Sequence, residues 1–213
     1  MITSDPVNIL LFLTQGFEEL ESISIISVFG WTQYRDHIPD ANITTTGFHS
    51  TVTGRYGLKI SPDVDLDEVQ PSDFQALVLP GGFHSHGFDE AYDHRIYELA
   101  RKIHRNHGFI ATMCVGILPI ADAGLLEGNK ATSYPHSMYH DNFHRLKSKG
   151  AVVQNKSVVI DNRIISCKGP GSSLEVAFLL MEVLMGSSVV NEVKKYMVYG
   201  STTIDSDTTD YDH

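Results

Sequence analysis

The chain has 213 residues, 42% hydrophobic and 20% charged, with 16 basic against 26 acidic side chains for a net charge of −10. Those totals describe one globular domain able to bury roughly 70% of the surface its unfolded chain exposes. They argue against nucleic acid and anionic membrane surfaces as partners. The two cysteines make no disulfide framework and fit a reducing, cytoplasmic setting, and the opening apolar run is too short to span a bilayer.

Strand and helix patterns alternate along the chain. "VNILLFL" (7–13) is a continuous apolar run, as a parallel strand buried on both faces requires. "EELESISIISVFGWTQYR" (18–35) has helix length and is apolar nearly all round from Leu20 to Trp31, so it is expected to pack on the sheet and on a partner chain. "FQALVLPGG" (74–82) reads as a second buried strand ending in a glycine turn. In "DEAYDHRIYELARKIHRN" (89–106), Tyr92, Ile96, Leu99 and Ile103 recur at helical spacing. "FIATM" (109–113) is a third strand, with a helix expected over 115–126. "SVVIDNRIISC" (157–167) reads as a hairpin turning at Asp161-Asn162, and "PGSSLEVAFLLMEVLMG" (170–186) carries helix start and stop signals. The alternation predicts one α/β domain over 5–199, and the polar, acidic residues 200–213 read as a disordered tail.

In such sheets, ligand sites lie at the carboxyl ends of strands. "TQGFEELE", "PGGFHSHG" and "MCVG" occupy those ends. Cys114 falls where a strand turns into a helix, with Gly116 two residues on, but Thr112 stands where the G-x-S-x-G elbow pattern wants glycine. A helix N-terminus would stabilise a thiolate there, and free N–H groups beside it would hold an oxyanion, helped by Gly81-Gly82. The alternative is a small, buried, inert thiol. Glu18 and Glu19 suit a first helical turn. Glu21 differs: a carboxylate on a buried helix must be protonated or paired, and next to Cys114 it would share one proton with the thiol.

Together, "GFEELE", "LVLPGG", "ATMCVGILPIADAGLLEGNKATSYP", "SCKGPGSSLEVAFLLMEVLMG" and "VVNEVKKYMV" resemble the ThiJ/PfpI superfamily, in the branch of the small deglycase-like protein linked to Parkinson disease. The resemblance implies a flavodoxin-like three-layer α/β sandwich, a homodimer, Cys114 as the nucleophile, Glu21 hydrogen-bonded to it, and backbone N–H groups of Gly82 and Val115 as the oxyanion hole. One departure concerns the segment "TSYPHS". The branch often has a histidine where this chain has Tyr134, and His136 lies two residues further on. Tyrosine is a poor base at neutral pH. Val115 stands where protease-like members carry a histidine, which disfavours peptidase activity.

His84 and His86 follow the glycine turn, and His84 is a candidate substitute for the missing histidine. His136, His140 and His144 share one face if that segment is helical, but no fuller metal motif accompanies them, and no metal or cofactor is expected. Cys167 reads as structural. The implied function is a cofactor-free glyoxalase or deglycase activity on small α-oxoaldehydes or glycated adducts. A redox-sensing or chaperone protein protecting against oxidative stress through Cys114, and a non-catalytic dimeric scaffold, are the alternatives.

Overall fold

The computed structural model describes residues 6–200. Of the expected acidic tail, 200–213, all but Gly200 lies outside the described residues. In chain order the elements are β1 (Val7–Phe12), α1 (Glu19–Gly30), β2 (Ala41–Gly47), β3 (Val52–Thr53), β4 (Lys59–Ile60), β5 (Val64–Asp65), β6 (Ala76–Leu79), α2 (His94–Arg105), β7 (Phe109–Met113), α3 (Ile117–Asp122), β8 (Lys130–Ala131), α4 (Asn142–Ser148), β9 (Val152–Val153), β10 (Val158–Asp161), β11 (Ile164–Cys167), α5 (Ser173–Met185) and α6 (Ser187–Tyr196).

Seven strands form the main sheet in the order β10-β11-β7-β6-β1-β2-β5. Every pairing in it is parallel except β10 with β11 at one edge. Alternate side chains of a strand point to opposite faces, and this splits β1 cleanly. Ile9 and Leu11 join the layer holding Ile25, Val28, Phe29, Phe178 and Val193 from α1, α5 and α6. Leu10 and Phe12 join the layer holding Ile96, Leu99, Ile103, Leu118 and Leu146 from α2, α3 and α4. Both faces are covered, which is why the central strands read as unbroken apolar runs. The architecture is the flavodoxin-like three-layer sandwich.

Several helices are shorter than their apolar patterns suggested. Segment 18–35 becomes α1 followed by a 3₁₀ turn, Trp31–Tyr34. Segment 89–106 divides at Asp93, whose side chain caps α2 by accepting from the Arg95 N–H, so Phe88–Tyr92 forms a separate 3₁₀ turn. Segment 115–126 becomes a 3₁₀ turn, Cys114–Gly116, and the six-residue α3, because Gly124 takes φ 76° and ends the helix. The 157–167 hairpin turns on Asn162 and Arg163, both left-handed at φ 45° and 60°, as the twist of a two-residue turn requires. The 170–186 helix begins at Ser173 after a 3₁₀ turn, Pro170–Ser172.

β1 has β2 on one side and β6 on the other. The chain therefore reverses direction across the sheet at β1, and a crevice at the carboxyl ends of β1, β6 and β7 follows from the topology. The residues immediately after these three strands lead to Glu21, Gly81 and Cys114.

Candidate active site

β7 delivers Cys114 at the end of an extended run, and the backbone turns sharply there, with Cys114 at φ 54°. For a non-glycine residue that conformation costs about 1–2 kcal/mol, so the surroundings must hold it. Gly116 lets the turn sit on the end of β6: a Cβ at Gly116 would lie 2.4 Å from the Leu79 carbonyl oxygen and 2.9 Å from that of Pro80. Behind the turn, the Ser133 hydroxyl donates to the Cys114 carbonyl at 2.8 Å. Thr112, where the elbow pattern has glycine, is buried in β7 and donates its hydroxyl to the Ile165 carbonyl at 3.0 Å, so its side chain ties β7 to β11.

Glu21 comes from the first turn of α1 and is fully buried. Glu18 is the N-cap, its carboxylate accepting from the Glu21 N–H at 2.8 Å. Glu21 Oε2 accepts from the Gly81 N–H at 2.6 Å, while Oε1 is buried without a hydrogen-bond partner. Gly81 is the spacer between the Cys114 and Glu21 side chains. A Cβ there would lie 2.7 Å from Cys114 Cβ and 3.0 Å from Glu21 Oε2. This tight approach explains why glycine follows Pro80. Burial, more than the neighbouring charge of Glu18, pushes the Glu21 carboxyl up to about 8 against the opposing Gly81 bond, so it is protonated at neutral pH.

The sequence argument expected the helix N-terminus to lower the Cys114 pKa. Instead burial pushes the thiol well up, the negative charge of Glu21 adds to this, and the Val115 N–H bond to the sulfur opposes it. The helix behind the cysteine is too short to win: α3 has six residues and starts three positions later. Protonation of Glu21 removes the second of these causes. The two groups therefore hold one proton between them more readily than they hold two charges.

One N–H near the expected oxyanion hole is engaged elsewhere. The Gly81 N–H is taken by Glu21. Gly82 forms an isolated antiparallel bridge with Phe17, through Glu18 N–H to the Gly81 carbonyl and Phe83 N–H to the Gly16 carbonyl. That bridge uses the groups on either side of Gly82 and leaves its own N–H out. The Val115 N–H faces the Cys114 sulfur.

Among the described residues, no side-chain hydrogen bond links Cys114 to Tyr134, His136 or His84. Tyr134 is half-buried, its ring against Gly169 and edge-on to His136 at 5.8 Å. His84 is bonded through Nδ1 to Asp89 at 2.5 Å, stacked on Tyr92 and edge-on to His140. His136 and His140 are not helical, because α4 begins only at Asn142 with Asp141 as its cap; the shared histidine face therefore does not form. No group of three metal-binding side chains occurs among the described residues.

Sequence reasoning missed two contributors. Ser133 was hidden in a segment weighed only for its missing histidine. Cys167 is fully buried, ends β11 beside Met113, and receives the Cys114 N–H on its sulfur.

A model of the DJ-1/PfpI family matches residues 7–183. The chain belongs to the DJ-1/PfpI family. It is 30% identical to protein dj-1beta of Drosophila melanogaster over 196 residues, covering 87% of this chain and 94% of that one. It is 29% identical to protein DJ-1 homolog A of Arabidopsis thaliana over 192 residues, 89% of this chain but only 46% of the longer plant protein. Deglycase PfpI of Pyrococcus furiosus is 33% identical over 120 residues, covering 56% of this chain and 68% of that one. The crystal structure of Drosophila DJ-1beta superposes with a TM-score of 0.77 at 28% identity, covering 91% and 98% of the two chains. Among the described residues no helix is long and apolar enough to cross a membrane.

Proposed function

We propose that this family member is a cofactor-free, cysteine-dependent enzyme of the glyoxalase or deglycase type, acting on small α-oxoaldehydes or early glycated adducts. The observation that carries the reading is the strained Cys114 turn packed through Gly81 against a buried carboxyl of raised pKa. Related chains named deglycases support the same class of chemistry. The Cys114 sulfur adds to the aldehyde carbon and forms a hemithioacetal. Glu21, poised near neutrality, moves the protons, and the Val115 and Gly82 N–H groups stabilise the developing oxyanion. The conversion is an internal redox reaction: the aldehyde carbon rises to the acid level as the neighbouring ketone falls to the alcohol. Only water is added, and no redox cofactor is needed. Tyr134, His136 and His84 are at most accessory.

The test is lactate formation from methylglyoxal by the purified chain. Cys114→Ser is expected to abolish it, and Glu21→Gln to reduce kcat far more than it alters KM. Absence of turnover by the wild type would sink the reading.

A second reading is supported by the partial exposure of Cys114 and the protonated carboxyl close to it. In it Cys114 is oxidised by peroxide and the protein responds to oxidative stress, Glu21 hydrogen-bonding the oxidised sulfur. Both readings need the same reactive sulfur.

A further inference from the structure

Cys167 belongs to neither mechanism, yet it lies directly behind Cys114. β11 and β7 run parallel with Cys167 paired to Met113, the residue before Cys114. Parallel neighbours are about 4.8 Å apart. The Cys114 N–H points at the Cys167 sulfur, whose own S–H donates to the Gly169 carbonyl at 3.5 Å. The Cys114 Cα is one bond of about 1.46 Å beyond that nitrogen. A disulfide needs Cα atoms about 4.4–6.8 Å apart, and the strand pairing with this N–H···S contact sets the two cysteines side by side. Cys167 is completely buried whereas Cys114 is partly exposed. An oxidant therefore reaches Cys114 first, and Cys114 is the sulfur that Cys167 can meet. Glu21 lies near enough for its charge to act on both cysteines, and its Oε1 is buried and unpartnered.

We propose that Cys167 is a resolving cysteine, converting peroxide-oxidised Cys114 into an intramolecular Cys114–Cys167 disulfide. The inference rests on Cys114 being the reactive thiol assigned above. In the first step the Cys114 thiolate attacks a hydroperoxide oxygen. The O–O bond breaks, the other oxygen takes up the proton that the Cys114 thiol gave up and leaves as water or an alcohol, and Cys114 becomes a sulfenic acid. In the second step the Cys167 sulfur attacks the Cys114 sulfur and the S–O bond breaks. Glu21 gives its proton to the departing hydroxide and takes the one from Cys167. Water is released and Glu21 ends protonated, as it began. Peroxide has accepted two electrons, and the two sulfurs have supplied them. The disulfide diverts Cys114 from the sulfinic acid that further oxidation would give.

Hydrogen peroxide, added in a few equivalents to the full 213-residue chain, tests this. The product is quenched by alkylation under denaturing conditions and mapped without reduction by mass spectrometry. The expected result is a Cys114–Cys167 linked peptide, lighter by two hydrogens and restored by dithiothreitol. In Cys167→Ser or Cys167→Ala, two oxygens should accumulate on Cys114 several-fold faster than in wild type. Wild-type protein carrying two oxygens on Cys114 while Cys167 stays alkylatable would overturn the resolving role alone. A Cys114 inert to both peroxide and alkylating reagent in the folded protein would overturn the resolving role and the thiol-based function together. The wild-type measurement decides the matter even if a variant fails to fold.

Discussion

Glu21 is fully buried, and the rise of its carboxyl from 4.5 to about 8 sets ~5 kcal/mol against its charged form. A folded-state value above the unfolded one means that the native protein holds this proton more tightly. The stability it contributes is complete below about 4.5 and is lost as pH rises through about 8. Between those limits stability should fall by up to about 1.4 kcal/mol per pH unit for one proton. Glu21→Gln, which cannot ionise, should flatten that part of the profile, and denaturant unfolding of both proteins from pH 5 to pH 8 measures it. A profile of equal slope in the variant would assign the dependence to other groups. Cys114 and Glu21 were legible in the sequence because each breaks a local pattern: a cysteine at a strand end and an acid on an apolar helix. The direction of the thiol shift was not, because local helix-dipole reasoning omits the burial and the carboxyl that approaches from a helix more than ninety positions earlier.

At the scale of elements, the turn between β10 and β11 places Asn162 and Arg163 in the left-handed region. Asparagine tolerates that conformation and arginine does not. Arg163 also keeps a buried Nε without a hydrogen-bond partner. Arg163→Gly should therefore stabilise the hairpin by roughly 0.5–1 kcal/mol, after allowing for the extra freedom of glycine in the unfolded chain. A rise in the thermal midpoint with an unchanged denaturant slope would show it; a fall would mean that the arginine stem packs usefully. The buried strands β1, β6 and β7 announced themselves as apolar runs. Strand β2, "ANITTTG", which lies between β1 and the short edge strand β5, did not, because threonines and an asparagine replace the apolar run. The two-residue strands are too short to carry any period. Helices α1, α2, α3 and α5 were legible in place but overlong, since the capping carboxylate of Asp93 and the left-handed Gly124 act through backbone geometry that an apolar pattern does not encode.

For the whole molecule, α1 buries Ile25, Val28 and Phe29 against the sheet yet leaves Leu20 53% and Ile23 40% exposed on its other side. A helix apolar on both sides fits the homodimer that the resemblance implies. Sedimentation should find two chains per particle, and Ile23→Glu, which places a charge on that outer face, should shift the mass toward a single chain while leaving the folded circular-dichroism spectrum intact. A wild type that sediments as one chain at every concentration would remove the homodimer. Family, layer architecture and the two central candidate residues follow from the sequence by itself, because strand runs, helix periods and the motif pieces are all read within short windows. Only the tertiary structure decided what those residues do to one another. It set Gly81 between Cys114 and Glu21, gave the Gly81 N–H to the carboxylate instead of an oxyanion, hydrogen-bonded no histidine among the described residues to the thiol, and paired Cys167 with the residue before Cys114. Those relations join segments separated by roughly thirty to ninety residues of chain, and strand order and burial, which no local pattern records, are what bring them together.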